Sequence, residues 1–283
     1  MNEATVDFAG CEFLDTEFSF AGFLFPWEAF FEDSKFLNRI SFEKAEFIGR
    51  ADFTAAFFEG GSNFRRAVFR DPASFRGAIF NGRSDFFQCL FQLGAFCEEA
   101  HFRGDASFKS ATFKGLYFEE AEFASDALFN DALFEEKASF KNVKIGGELN
   151  FIGLRCAAPI NFKGISVAGD AWFRTAKFEG TTIFTEAKFK SKADFRFVEF
   201  RKFAYFRSAR FEGEAEFSET IFEDTVIFTI SRFDLEVKFF EAEFRAFASF
   251  ERARFYGPVD FKAARSSSAF DLTDASFLDV PDF

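Results

Sequence analysis

The sequence predicts an all-β solenoid, in which one chain winds through many short strands around a single apolar interior. Phenylalanine accounts for 56 of the 283 residues, the phenylalanines recur at a regular spacing, and a small residue stands two positions before most of them. This composition lies far outside that of an ordinary globular domain. It indicates an architecture that requires the same side chain at a fixed period along the chain.

The repeat is eleven residues long. From Phe42 to Phe91, consecutive phenylalanines are separated alternately by five and six residues. Between residues 31 and 283 this spacing defines 47 positions, and 41 of them hold Phe. Around residues 108–123 the steps are five residues each, so one residue is missing there and the register slips.

The residue two positions before each repeat phenylalanine is small, as in Ala45 before Phe47. Side chains two apart lie on the same side of an extended strand, so both should point inward while the polar residues between them face solvent. Where the ring is lost, the earlier residue is larger, as expected of a packed interior with a fixed cross-section. These pairs are Val143 with Ile145, Leu154 with Cys156, Ile165 with Val167, and Phe270 with Leu272.

The six-residue steps contain tripeptides that are typical of turns, such as IGR at 48, EGG at 59 and NGR at 81. Gly, Asp, Asn and Pro supply the backbone angles of tight corners, so we expect these angles at the longer corner. Neither a spacing of five nor one of eleven keeps a compact helical stripe, so helices are not expected.

These units resemble those of the pentapeptide-repeat family, which place a small residue two positions before a central Leu or Phe. The resemblance covers essentially the whole chain and is carried by segments such as AEFIGRADF at 45–53 and SKADFRFVEF at 191–200. It implies a right-handed quadrilateral β-helix. The residue inserted into every second unit lengthens the coil to about 22 residues, giving about 12 coils.

The charge pattern favours the 22-residue coil. One set of outward positions 22 apart alternates in sign, which would place opposite charges on neighbouring strands. A coil of eleven residues would instead stack Lys190 on Arg201, and like charges at that spacing repel. The alternating set is Glu179, Arg201, Glu223 and Arg245.

Residues 1–30 are predicted to form an irregular N-terminal or capping coil, and residues 31–283 the pentapeptide-repeat-like β-helix. Phe8, Phe13, Phe18 and Phe23 step by five and overlap the later register, so we expect a register change or a loop near Pro26 and Trp27. Exposed coil ends invite edge pairing, so homo-oligomers formed by end or side association are compatible with this architecture.

No catalytic, cofactor-binding or metal site is expected, and the chain is not predicted to be an enzyme. His101 precedes Phe102 at an outward position. Four cysteines fall at inward positions and are interpreted as small apolar fillers in a reducing compartment. The sequence has no CxxC, phosphate-binding loop, GxSxG or dinucleotide-binding motif. The cysteines are Cys11, Cys89, Cys97 and Cys156.

Net charge and hydropathy argue against several further classes of protein. A net charge of −12 and a pI near 4.8 argue against direct nucleic-acid binding and against coating of anionic lipid. Charged residues interrupt the chain too often for a membrane span of roughly 20 apolar residues. The start MNEATVDF has no features of a signal peptide, so a cytoplasmic location is expected.

The sequence therefore indicates a protein-interaction or structural scaffold whose protein partner is unknown. The best-known members of the family resemble B-form DNA in shape and charge and bind DNA gyrase or related topoisomerases, so a DNA-mimicking gyrase binder is the alternative. A second alternative is the repeat portion of a larger enzyme or of a membrane-associated protein. A basic band would interrupt a continuous phosphate mimic; it contains Lys188, Lys190, Lys192, Arg196, Arg201, Lys202, Arg207 and Arg210.

One outward stripe is a candidate interaction surface. Ile183, Tyr205 and Ile227 recur at the interval of one coil, each immediately before a repeat phenylalanine, and Phe203 and Phe247 are predicted to lie in nearby corners. Stacked apolar residues can stabilise neighbouring strands. They can also form a patch for self-association or for a partner.

Overall fold

The predicted all-β solenoid is confirmed. A computed structural model describes residues 5–16 and 18–282, and these form four parallel sheets of 11 to 13 strands that wind in about 12 coils. The described residues contain no helix, so no helix in them could cross a membrane. Phe283, the last predicted inward position, lies outside the described residues.

The four sheets, which we call faces A, B, C and D, are visited in that order within each coil. Face A contains Thr5–Asp7, Glu28–Phe30, Ala51–Asp52, Ala73–Ser74, Ala95–Phe96, Leu116–Tyr117, Ala138–Ser139, Ile160–Asn161, Thr182–Ile183, Ala204–Tyr205, Val226–Ile227 and Ala248–Ser249. Face B contains Glu12–Phe13, Lys35–Phe36, Phe57–Phe58, Ile79–Phe80, His101–Phe102, Glu122–Phe123, Lys144–Ile145, Ser166–Val167, Lys188–Phe189, Arg210–Phe211, Arg232–Phe233, Arg254–Phe255 and Ser276–Phe277. Face C contains Ile40–Ser41, Ser62–Asn63, Ser84–Asp85, Ala106–Ser107, Ala127–Leu128, Leu149–Asn150, Ala171–Trp172, Ala193–Asp194, Ala215–Glu216, Val237–Lys238 and Val259–Asp260. Face D contains Leu24–Phe25, Glu46–Phe47, Val68–Phe69, Leu90–Phe91, Thr112–Phe113, Leu133–Phe134, Arg155–Cys156, Lys177–Phe178, Glu199–Phe200, Ile221–Phe222, Glu243–Phe244 and Arg265–Ser266.

The register confirms the coil length and the predicted slip. Paired residues on neighbouring strands are 22 apart along most of the solenoid, as for Ala73 and Ala95. They are 21 apart between Ala95 and Leu116. The missing residue belongs to the corner between faces D and A, where Lys114 and Gly115 replace the usual three residues and Gly115 adopts a φ of 80°. Glycine tolerates this left-handed conformation, so it can close the shortened corner.

The first coil is continuous with the rest but contains one additional residue. Phe13 pairs with Phe36 and Ser19 pairs with Ser41, so the first separation along the chain exceeds the second by one. The extra residue therefore lies between Phe13 and Ser19. The expected register change is present, but it precedes the predicted position near Pro26.

Phenylalanine rings fill the interior in four columns. Within a column, rings in successive coils stack almost parallel, as for Phe42 and Phe64, whose centroids are 4.8 Å apart with 4° between the planes. Between opposite faces the rings meet edge to face, as for Phe42 and Phe53 at 5.4 Å and 85°. Both arrangements are favoured by the ring quadrupole, so one residue type can satisfy every contact of the core.

The exceptions to the ring pattern are packed as predicted. Val143, Leu154 and Ile165 are completely buried beside Ile145, Cys156 and Val167, whereas Phe270 and Leu272 near the end of the described chain are only partly buried. Cys97 has no such neighbour, because Ala95 is also small. Leu116 pairs with Ala95 in the next coil and is completely buried, so it contributes the bulk that this layer lacks.

The prediction for the corners was wrong. Left-handed φ values recur every eleven residues in the five-residue steps, at Ala55 (55°) and Arg66 (58°) for example, whereas in the tripeptide corners only Gly115 has one among the described residues. Most of the other tripeptide glycines meet a different requirement. A Cβ on Gly82 would lie 2.6 Å from the Gly60 carbonyl carbon in the preceding coil. Close approach of stacked backbones, rather than unusual φ, therefore selects glycine there.

Candidate interaction face

Face A presents an uncharged outer column along most of the solenoid. Each of its two-residue strands points one side chain inward and the next outward. Over nine successive coils the second residue of the strand carries no charge, and six of the nine are half-buried while the three serines are buried. The nine residues are Ser74, Phe96, Tyr117, Ser139, Asn161, Ile183, Tyr205, Ile227 and Ser249. The longest such run on face C or face D covers four coils, so face A is distinct within a chain of net charge −12.

The structure brings the predicted surface residues together on this face. Tyr205 pairs with Ile183 on one side and Ile227 on the other, and all three are half-buried. Phe203 and Phe247 lie in the corner between faces D and A, with 40% and 45% of their surface exposed. The Phe203 ring lies parallel to that of Tyr205, with centroids 5.8 Å apart.

Sequence reasoning missed a second aromatic pair on the same face. Phe96 and Tyr117 stack with centroids 5.2 Å apart and 8° between their planes. The short coil lies between them, so a search at the regular interval of the repeat does not connect the two residues. Cys97 and Phe118 are the repeat positions directly after these two residues and are also separated by the short coil. A search that allowed for the slip would therefore have found the pair.

The edge of face A toward face B also carries an apolar residue in an unusual conformation. Ile230 is 44% exposed and has a φ of 59°. A β-branched residue rarely adopts left-handed angles, and Ser208 and Arg252 occupy the equivalent corners of the neighbouring coils. The corner geometry therefore sets this φ whatever the residue, and Ile230 adds an exposed apolar side chain to this edge of face A.

The same edge holds an incompletely paired carboxylate. Oε2 of Glu119 is buried and has no hydrogen-bond partner among the described residues. Buried polar atoms are normally paired, so this oxygen requires an explanation. Arg207 lies on the same edge four coils further along, is exposed, and makes no ion pair within the described part of the chain.

The predicted charge ladder forms, but the argument behind it does not hold on every face. Arg201 lies 3.0 Å from Glu179, and Arg245 lies 3.5 Å from Glu223. On face B, however, like charges do stack in successive coils. The column contains Lys188, Arg210, Arg232 and Arg254. Acidic residues two positions further along compensate part of it, as where Glu212 lies 3.1 Å from Arg210.

His101 lies on the outside of face B, as predicted. Its Nδ1 is 3.6 Å from Oε2 of Glu122, and its side chain is 45% exposed. The hydrogen bond that Lys144 Nζ donates to Glu122 at 2.6 Å holds the pKa of this carboxyl below its ordinary value. The three side chains line an open, shallow depression. In the described part of the chain, no three His, Cys, Asp or Glu side chains come together as metal ligands.

Three of the four cysteines fill the interior, and the prediction for the fourth was wrong. Cys89, Cys97 and Cys156 are buried, whereas Cys11 is exposed, because it lies at the end of the stack of described coils and none of these covers it on that side. Burial raises the pKa of the Cys156 thiol to about 12 and raises the pKa values of Cys89 and Cys97 as well. A thiol with so high a pKa is a poor nucleophile, which fits the role of an apolar filler.

Asp52 shows how polar residues close the corners beside face A. Its side chain is fully shielded from solvent, pairs with the Arg50 guanidinium, and accepts a hydrogen bond from the Thr54 backbone N–H at 3.0 Å. Burial alone would raise the pKa of this carboxyl. The hydrogen bonds from Thr54, a hydrogen bond with Glu32 and the nearby Arg50 charge together outweigh it and hold the pKa below its ordinary value.

Comparison with known families agrees with this geometry. The family description "Pentapeptide repeats (9 copies)" matches residues 64–112, 98–144, 108–155 and 184–232. The chain belongs to the pentapeptide-repeat family. None of the curated proteins searched matches it. As a pentapeptide-repeat protein, it uses its central and minus-two residues for the interior, which leaves the outer columns free to differ from coil to coil.

Proposed function

We propose that this pentapeptide-repeat protein is a non-enzymatic scaffold of the cytoplasm that binds another protein through face A. The observation that carries the proposal is the uncharged outer column of nine coils, which is flanked by exposed Phe203, Phe247 and Ile230. Exposed apolar patches edged by polar residues are characteristic of protein-binding surfaces. The three buried thiols fit a reducing compartment.

The interior supports a scaffold rather than an enzyme. Catalytic groups are normally gathered in a concave site with convergent polar side chains. Here the described core is filled by phenylalanine rings, and the depressions on the outside are shallow and open. A DNA-mimicking role has no comparable support, because four cations stack along face B where a mimic would need negative charge.

Affinity capture with matched variants tests the proposal. The immobilised wild-type chain, Tyr205→Glu and Leu128→Glu are exposed to extract of the native host. Leu128 is the control because it is also a half-buried, outward apolar residue, but on face C. We expect a protein that is retained by the wild type and by Leu128→Glu and lost with Tyr205→Glu. If no captured protein depends on Tyr205, the placement of the binding surface on face A is wrong.

A further inference from the structure

We propose that face A binds a second copy of this chain, in an antiparallel dimer whose twofold axis passes beside Asn161. This inference rests on the proposed function, because it names the occupant of the same face. Two chains of net charge −12 repel each other, and face A is the surface that brings the fewest charges together. The uncharged run extends four coils to either side of Asn161, so the face is symmetric about this residue.

The twofold axis lies in the interface and is perpendicular to the long axis of the solenoid. Each coil of one copy therefore lies opposite the coil of the other copy that is equally far from Asn161 on its other side. Two coils away, Tyr117 faces Tyr205. Three coils away, Phe96 faces Ile227. The aromatic pair that lies before Asn161 thus meets the apolar stripe that lies after it.

The corner between faces D and A is complementary in shape under the same symmetry. In an antiparallel pair this edge meets its own counterpart. Exposed Phe203 then lies over Gly115, and exposed Phe247 lies over Pro72. One projecting ring therefore meets a glycine and the other meets the compact ring of a proline, as a closely packed interface requires.

The opposite edge brings one pair of opposite charges together. The half-buried carboxylate of Glu119 lies two coils before Asn161, and the exposed guanidinium of Arg207 lies two coils after it. The symmetry places Arg207 of the second copy against Glu119, twice in the dimer. Opposite charges would then face each other at two places in the interface.

The area is sufficient for a specific dimer. Eight or nine coils at about 4.8 Å give a face about 40 Å long, and three to four extended residues give a width of about 12 Å. Two copies would then cover about 1,000 Å² in total, which reaches the lower limit for a biological interface. Lys114 would lie opposite Lys202, and Lys163 opposite Lys163 of the second copy. Moderate salt should therefore tighten the dimer slightly by screening these repulsions.

Cross-linking tests the symmetry axis directly. In a Cys11→Ser background, Asn161→Cys places one thiol beside its own symmetry mate. Asn150→Cys is the matched control, because both asparagines are half-buried, point outward and accept a hydrogen bond from the backbone N–H two residues on, at 2.9 and 3.1 Å. Under mild oxidation we expect a disulfide dimer from Asn161→Cys and monomer from Asn150→Cys. Equal cross-linking of the two variants would overturn the proposed axis.

Charge reversal tests the pairing without added thiols. The wild-type chain should sediment at equilibrium with about twice its 32.3 kDa mass. We expect Glu119→Arg and Arg207→Glu each to weaken the dimer at least ~10-fold, and the double variant to restore it to within about 3-fold. A monomeric wild type, or a double variant weaker than either single one, would overturn the proposal. If a monomeric chain still captured another protein through Tyr205, only the dimer would be wrong.

Discussion

Where a central position of the repeat holds a smaller residue, the residue two before it is larger. We expect that this arrangement can be copied from one coil to the next. Val167 lies directly below Phe189 on face B, and its larger neighbour Ile165 lies in the same plane of the core. The double variant Ala187→Ile with Phe189→Val would copy this arrangement one coil further along. Ala187 and Phe189 are both buried, so each single change acts inside the packed interior.

The expected free energies follow from the atoms removed and added. Phe189→Val removes four side-chain carbons and the stacking on Phe211, whose centroid is 5.2 Å away, so it should destabilise by about 3 kcal/mol. Ala187→Ile adds three carbons to a filled layer and should cost about 2 kcal/mol. The double variant lacks one carbon and the ring contacts, so it should cost about 2 kcal/mol rather than the sum of about 5. The coupling free energy would be about 3 kcal/mol, at the upper end for touching residues.

Equilibrium unfolding in guanidinium chloride, followed by circular dichroism, measures all three free energies. Ala187→Ile combined with Phe255→Val is the control, because Phe255 occupies the same column three coils away and does not touch residue 187. This control should be additive within about 0.5 kcal/mol. If the neighbouring pair is also additive, the exceptions to the ring pattern are not a packing compensation, and the reasoning fails.

Three further predictions concern the thiols, a corner carboxylate and the glycines. In the native protein a soluble thiol reagent should modify Cys11 alone, and after denaturation all four cysteines; native modification of a second thiol would contradict the described burial. Asp52→Asn should destabilise by about 2 kcal/mol near neutral pH, because the lowered pKa of Asp52 stabilises the fold above the ordinary carboxyl pKa and this contribution is lost as the pH falls through the folded-state value. Unfolding measured from about pH 7 down to about pH 3 should therefore show the deficit shrinking, and a constant deficit would contradict the assignment. Gly82→Ala should cost more than about 2 kcal/mol because its Cβ would meet the backbone of the preceding coil, whereas Gly77→Ala, which meets no atom within 4 Å and has a φ of 60°, should cost about 1 kcal/mol. Equal thermal stability of the two glycine variants would show that close approach does not decide the residue.

The sequence was sufficient to predict the fold because the same residue type recurs at equivalent inward positions. Phe42 and Phe64 occupy the same environment, and a column of such environments can be counted directly. The spacing also located the missing residue between Phe108 and Phe123, since removing one residue from a corner shifts every later ring.

The backbone of the corners was harder to predict. Gly82 is selected by the backbone of Gly60 in the preceding coil, and turn propensity describes only local angles. Ala55 and Arg66 adopt left-handed angles although neither type favours them, because the coils above and below fix the path of the chain. Contacts between coils therefore override local preference at these positions.

The candidate face was only partly visible in the sequence. Tyr205 and its neighbours appear at the regular interval of the repeat, but Phe96 and Tyr117 are separated by the short coil. The unpaired oxygen of Glu119 has no sequence signature at all, because it depends on burial in the folded chain. The residue types of an outer column can thus be predicted from the sequence. Polar atoms that lack hydrogen-bond partners can be found only in the structure.

The single shortened coil also bears on how the chain folds. A solenoid with identical coils could add a strand one coil too early or too late and still place phenylalanine on phenylalanine, so its growing end would have several nearly equivalent ways to continue. Leu116 lies above Ala95, beside the small Cys97, and Gly115 closes the shortened corner, so a shift of one coil would lose this match between a large residue and a small layer. An irregular coil near the middle therefore gives an otherwise repetitive chain a unique alignment during folding.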